Sequence, residues 1–326
     1  MMTRRGFMVE MAAAGTVACW GGEDEAPALT VGITSDVHTM VTNTERFACV
    51  LAAFARRKVD AVVVSGDLAH YGLESELVRF RDVWRAAFPE NRRPDGGEVK
   101  PLFIYGDHDT GGYAHKHADY AECQSVHQGW DKARIDAEVI ATRGPDKVWR
   151  RVFGEDWDWV RTQDVKGYRF ILASYCGAVK QETPPCLVER FTEAVRGLPD
   201  DKPFFFVQHR VFPGTVGAFP TGKEWWCADN AVARDLLLRH PNAVGICGHA
   251  HSNLLNEDNI WRGAFTAVEV PSLHNCYLPR SAGRPDGFDR ERAECLVMRV
   301  WTKRIVFERL DARADRPLAP DWVCRA

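Results

Sequence analysis

Residues 29–38 read LTVGITSDVH and residues 61–67 read AVVVSGD. Each is a short apolar run rich in strand formers that stops at a polar cluster containing a carboxylate. The design recurs three times, with histidine in place of the carboxylate in the last two: PLFIYGDHD at 101–109, PFFFVQH at 203–209 and AVGICGHAH at 243–251. Amphipathic stretches at 43–58 and 74–88 separate the first three runs, giving the order βαβαβ. That order implies an α/β fold with parallel strands and right-handed crossovers. In open α/β sheets the ligand crevice lies at the carboxyl ends of the strands. Five strand ends therefore deliver Asp36, His38, Asp67, Asp107, His108, His209, His249 and His251 toward one crevice.

Further along the chain, strands are expected at 168–174, 203–207 and 243–247, with helices at 185–196 and 229–240 between them. Residues 265–270, 294–301 and 304–310 read as late, antiparallel strands, the last two joined by a tight turn at Thr302 and Lys303. Between 111 and 164 no strand stands out, and helical patterns near 115–124 and 132–139 suggest a helical insertion. The Pro- and Arg-rich tail beyond Asp311 is expected to wrap the surface. Residues 28–326 thus read as a single domain.

Residues 1–27 read separately from it. Thr3-Arg4-Arg5-Gly6-Phe7-Met8 matches a twin-arginine export signal, followed by a short apolar stretch and an acidic, Gly-containing linker. Thr16-Val17-Ala18-Cys19 resembles a lipoprotein processing box, which makes Cys19 a candidate lipid-attachment point and membrane tether. The expected location is periplasmic or the cell envelope. Ten cysteines contain no CxxC pair; Cys49, Cys247 and Cys295 read as small buried hydrophobes, and Cys176 with Cys186 could close a short loop. A net charge of −3 gives no global basic field, so nucleic acid is not an expected partner.

Carboxylates and imidazoles without thiolate suit Fe, Mn or Zn rather than a soft metal. The donors are too many for one ion with open positions, and two ions sharing a bridging carboxylate are the natural solution. Glycines before Asp67, Asp107 and His249 permit the turns that aim each donor. His115, His117 and His127 lack such an ordered context and read as ordinary loop or helix histidines.

The five blocks DVH, GD, GDHD, H and GHAH, in that order, resemble the calcineurin-like metallophosphoesterases, whose blocks read DxH, GD, GNH[DE], H and GHxH. The resemblance runs from Ala28 to about Leu310. It implies a four-layer α/β/β/α sandwich of two mixed β-sheets flanked by helices. It also implies hydrolysis of a phosphomonoester or phosphodiester by a hydroxide that two metal ions activate. On this reading Asp36, His38 and His251 hold one ion, Asp107, His209 and His249 the other, and Asp67 bridges. His108 would touch the substrate, as general acid or as donor to the phosphoryl group. The alternative is an exported binding protein that keeps the fold with a weak or inactive site.

One block departs from the family pattern: Asp107 stands where the family has Asn. Three readings remain open at the level of sequence. The extra charge favours a more highly charged pair such as Fe(III) with a divalent ion, or Asp107 ligates as Asn does, or the site is weakened. His70, three residues beyond Asp67, occupies a spot that holds Tyr in the purple acid phosphatases and Asp in the serine/threonine phosphatases. It could line the pocket, orient His108, or simply start the next helix.

The substrate would be a small-molecule or nucleotide-like phosphate ester, chosen by loops over the strand ends. Tyr113, Trp130, Trp225, Trp226 and Tyr277 are candidates for an aromatic rim. Arg210, beside His209, could bind a phosphate oxygen, and His274 could reach the rim of the site.

Overall fold

The computed structural model describes residues 26–40, 44–110, 117–176, 183–216, 231–277, 287–289 and 291–326. The N-terminal signal motif and Cys19 lie outside these residues, as do Tyr113, His115, Trp225 and Trp226.

The first half alternates strand and helix as its periodicity demands: β1 (Leu29–Thr34), α1 (Glu45–Arg56), β2 (Ala61–Val64), α2 (Glu74–Ala87) and β3 (Lys100–Phe103). A single helical turn, α3 (Asp107–Thr110), follows the third strand. The insertion then supplies α4 (His117–Val126), α5 (Lys132–Glu138), α6 (Ile140–Arg143) and α7 (Pro145–Phe153). Next come β4 (Val160–Val165), β5 (Tyr168–Ala173), α8 (Leu187–Val195), β6 (Phe204–Val207), α9 (Ala231–Leu237) and β7 (Ala243–Cys247). The chain finishes with β8 (Ile260–Arg262), β9 (Thr266–Glu269), the short pair β10 (Cys276–Tyr277) and β11 (Phe288–Asp289), then β12 (Glu294–Val300), β13 (Arg304–Asp311), β14 (Arg316–Pro317) and β15 (Trp322–Arg325).

Two mixed sheets result. The first runs β14-β13-β12-β1-β2-β3, with β15 also paired to β13. Its β1, β2 and β3 are parallel, and β12 joins β1 antiparallel. The second runs β4-β5-β6-β7-β9-β8, parallel from β5 to β9 with an antiparallel strand at each edge. Side chains alternate across each strand, and the alternation builds the layers. Ala61 and Val63 of β2 meet Phe205 and Val207 of β6 in a core between the sheets. Val62 and Val64 face α1, α2 and α7, packed with Leu51, Phe54, Leu77, Phe80 and Trp149. Phe204 and Phe206 face α8 and α9 on the far side, with Phe191 and Leu237. This is the expected α/β/β/α sandwich.

The structure amends three expectations. The segment thought to lack strands contains β4, an edge strand whose polar residues 161–164, with Thr162 and Asp164 exposed, break the apolar run. The tail does not merely wrap the surface, because β15 pairs β13 in register, with Trp322 opposite Phe307. The strand at 266–269 lies parallel to β7 and antiparallel to β8, extending the second sheet rather than joining β12 and β13 in the first. Among the described residues Cys176 and Cys186 are not joined by a disulfide.

The insertion matters for the site because it pins residues 70–73. Ile140 N–H donates to the Gly72 carbonyl at 2.7 Å, and Leu73 bridges Val139. The buried Glu76 carboxylate accepts from the backbone N–H groups of Tyr71 and Leu73 at 2.9 and 3.2 Å. Tyr71, Leu73, Cys123, Ile135 and Val139 close a small apolar core over it. His127, set aside as a ligand on sequence grounds, faces Glu76 at 3.6 Å in this support.

Candidate metal centre

The carboxyl ends of β1, β2, β3, β6 and β7 converge. Asp36, His38, Asp67 and His251 form one group of donors and Asp67, Asp107, His209 and His249 a second, each with its donor atoms within 4.8 Å of one another. Asp67 belongs to both. Its Oδ2 stands 3.5 Å from His38 Nε2 and 3.3 Å from His209 Nε2, so one oxygen lies between the two groups. In the first group His251 Nε2 is 3.0 Å from Asp36 Oδ1 and 3.3 Å from His38 Nε2. In the second, Asp107 Oδ1 is 2.9 Å from His209 Nε2 and 3.1 Å from His249 Nδ1. All but His251 are buried.

The backbone is bent to achieve this. Asp36, His38, Asp67, His249 and His251 all have left-handed φ, between 46° and 72°. For side-chain-bearing residues this region is sparsely populated, and Asp and His are among those that tolerate it best. Such strain, on the order of 1–3 kcal/mol per residue, gathers at functional sites. At Gly106, which precedes Asp107, an added Cβ would run into the Asp67 backbone and carboxylate. At Gly66 (φ 106°) it would run into the His209 ring.

Most donor residues point one atom inward and brace the other. Asp36 Oδ2 accepts from His249 N–H at 3.0 Å, and Asp67 Oδ1 accepts from His108 N–H at 2.9 Å. His209 Nδ1 meets the Ser65 carbonyl at 2.8 Å, which puts the proton on Nδ1 and leaves the Nε2 lone pair facing inward. His38 Nδ1 meets His70 Nδ1 at 3.1 Å. Asp107 turns its Oδ2 toward Arg210 Nη2 at 3.5 Å.

The electrostatics follow from the crowding. Burial opposes the charge on Asp36, but His251 and His209 override it and hold the carboxyl well below its usual range. Asp107 is likewise held low, against burial, by His249 and His209. Burial and the neighbouring His108 and His70 rings keep His38 neutral far below its normal value, the form a metal requires. Burial also opposes protonation of His209, yet Asp67 and Asp107 raise it well above the ordinary imidazole value. The donor set fits a pair of ions. Imidazole lone pairs and carboxylate oxygens are aimed at shared points inside a buried site, where cations or trapped protons offset them.

The other sequence candidates fall around this centre. His108 is half-buried, its ring 4.4 Å from that of His38, and its Nδ1 donates to the His70 carbonyl at 2.6 Å. His70 therefore holds His108 through its backbone and His38 through its ring. His274 reaches the rim, 5.0 Å from both His38 and His70 between ring centroids. Trp130 does not form a rim; it packs on His127 at 4.6 Å and carries the Arg134 guanidinium over its face.

Asp109, the last residue of the GDHD block, was given no role from sequence. It is fully buried, and its carboxylate accepts from the N–H groups of Gly106, Ala69 and Leu68 at 2.7, 2.7 and 3.1 Å. It thus ties the Asp67 loop to the Asp107 loop. A second carboxylate directly after the GDH triplet was the available signal. Also missed was the polar support behind His251, where Glu294 accepts from Asn253 Nδ2 and Leu254 N–H at 2.6 and 2.8 Å. A glutamate opening an apolar strand was the clue there.

A buried donor cluster at the strand ends of a two-sheet sandwich is the arrangement that the calcineurin-like metallophosphoesterase motifs imply. Residues 29–253 match the calcineurin-like phosphoesterase family, and the chain belongs to it. Among the solved structures that share the fold are two phosphatases. One is a purple acid phosphatase from seeds of yellow lupin, Lupinus luteus, at 12% identity and a TM-score of 0.57, over 91% of this chain and 54% of that one. This chain therefore spans about half the length of the lupin protein. The other is a dimetal phosphatase from Danio rerio, at 12% identity and a TM-score of 0.50, over 92% of this chain and 99% of that one. No curated protein matches the sequence.

Proposed function

We propose that this protein hydrolyses a phosphomonoester or phosphodiester at a dinuclear metal centre. Asp36, His38 and His251 would hold one ion and Asp107, His209 and His249 the other, with Asp67 shared by the two donor groups. The observation that carries the proposal is that one carboxylate oxygen is shared by two complete donor groups. When bound, such an ion pair polarises a phosphoryl oxygen and makes water a nucleophile at neutral pH.

The chain's own groups do the rest. Asp67 Oδ1, bonded to His108 N–H, fixes the catalytic imidazole to the same carboxylate that joins the donor groups. The His70 carbonyl accepts a hydrogen bond from His108 Nδ1–H, so Nε2 is the atom left to hold a proton for the departing oxygen or to bond the phosphoryl group. The cleft mouth carries His274. The N-terminal twin-arginine motif supports work outside the cytoplasm, on a small-molecule or nucleotide-like ester.

Hydrolysis of p-nitrophenyl phosphate and bis-p-nitrophenyl phosphate, with Mn, Zn or Fe supplied, tests this. His108→Ala should lower turnover by about 10²- to 10⁴-fold while leaving metal content unchanged. Turnover indifferent to chelator and to Asp67→Ala would end the proposal.

A further inference from the structure

The donor groups hold three buried carboxylates, Asp36, Asp67 and Asp107. The outward oxygens of Asp36 and Asp67 are braced by neutral backbone N–H groups. Asp107 differs. Its Oδ2 faces the Arg210 guanidinium at 3.5 Å, with the two side chains only 3% and 12% exposed. Arg210 follows His209, a donor of the same group, at the end of β6, and its guanidinium also stands 5.4 Å from the Tyr175 ring centroid. A buried cation beside a buried carboxylate is tolerable chiefly because the two are together; either alone is strongly unfavourable.

We propose that Arg210 is the counter-ion of Asp107: a positioning residue that aims Asp107 Oδ1 at the second metal position and cancels the charge of the third carboxylate. This rests on the dinuclear reading above. Three carboxylates and one guanidinium leave the protein side of the centre at −2, the charge of a site with two carboxylates and a neutral third ligand. The centre then suits two divalent ions and keeps a net positive charge to receive a phosphate ester. A trivalent ion is not needed to balance the extra carboxylate. Asp107 in effect behaves as a neutral oxygen donor, its charge taken up on the side away from the ions.

The test compares metal selectivity in the full chain. Apparent affinities for Zn(II) and for redox-inert Ga(III) are measured by chelator competition in wild type, Arg210→Met, Arg210→Lys, Asp107→Asn and the double variant Asp107→Asn with Arg210→Met. Removing one partly screened positive charge this close should raise the Ga(III)-to-Zn(II) affinity ratio by roughly ten- to hundredfold. Arg210→Lys should keep the wild-type ratio. Asp107→Asn should shift the ratio the opposite way, and the double variant, neutral at both positions, should bind two zinc ions with a near wild-type ratio. An unchanged ratio in Arg210→Met overturns the proposal, including the case where only KM for the ester rises and Arg210 proves to be a substrate clamp. If Arg210→Met does not fold, the double variant decides: failure to hold two zinc ions, or a ratio far from wild type, overturns it. A wild-type protein that binds fewer than two zinc ions removes the dinuclear reading itself, and the counter-ion role with it.

Discussion

Gly106→Ala is the smallest change that should disable the centre. Gly106 sits where the turn after β3 passes against Asp67, and an alanine Cβ built there lies 2.9 Å from Asp67 Cγ and closer still to Asp67 N and Oδ1. Carbon atoms in contact prefer about 3.5–4.0 Å, so roughly 1 Å of movement must be found. None of it can come from a flexible side-chain end, because Asp67 is buried and its Oδ1 is bonded to His108 N–H. The displaced group is the carboxylate shared by both donor groups, and a misplacement of about 1 Å at reacting geometry can cost about 10²-fold in rate. Overpacking of this kind also destabilises by about 1–3 kcal/mol, which for a domain of this size lowers Tm by only a few degrees. The expected result is therefore a large loss of kcat/KM and weakened metal retention in a protein that still melts cooperatively near the wild-type temperature. Gly97→Ala is the control, since its Cβ crowds the Arg93 guanidinium before the start of β3, at the opposite end of that strand from the donor groups. Turnover and metal content of Gly106→Ala within about twofold of wild type, against the expected 10²-fold loss, would refute the reasoning.

Two other perturbations separate support from chemistry. His70→Ala removes the ring that meets His38 Nδ1, and loss of such a ligand-orienting partner should weaken metal binding by about 10- to 100-fold, read by chelator competition. Glu294 is pushed up to about 7 by burial, against the N–H of Leu254 and the charge of Arg292. Its folded state thus holds the proton more tightly than the unfolded state, and its contribution to stability falls as pH rises from about 4.5 to about 7, by roughly 1.4 kcal/mol per unit. Urea unfolding of the metal-free protein should show wild type losing stability relative to Glu294→Gln between pH 5 and pH 7.5. A difference that stays constant over that range contradicts the burial argument.

The donors were legible because chemistry and topology coincide. An apolar strand must end where its polar residues begin, and a parallel sheet gathers those ends on one edge. DVH, GD, GDHD, H and GHAH each expose this in a handful of letters. What remained hidden depends on distances that no spacing encodes. His70 lies next to the Asp67 block, yet only the fold shows that its ring serves His38 while its carbonyl serves His108. Arg210 was read as a phosphate ligand, and the fold turns it to Asp107. The left-handed turns at Asp36, His38, Asp67, His249 and His251 could not be read either, because Asp and His only permit that conformation. In the fold, β4 was missed because its outward residues are polar, and β15 because a short strand after a Pro- and Arg-rich segment carries a weak pattern. Helix α7 had readable punctuation, Pro145 at its start and left-handed Gly154 after its end, within a stretch whose aromatic and charged residues masked the period.

The central claim is that Asp67 lies between two ions. Anomalous diffraction from crystals of the Zn- or Mn-loaded protein measures this directly. Two peaks are expected about 3.5–4 Å apart, one beside Asp36, His38 and His251, the other beside Asp107, His209 and His249, with the Asp67 carboxylate touching both. A single peak, or two ions that do not share Asp67, would contradict it.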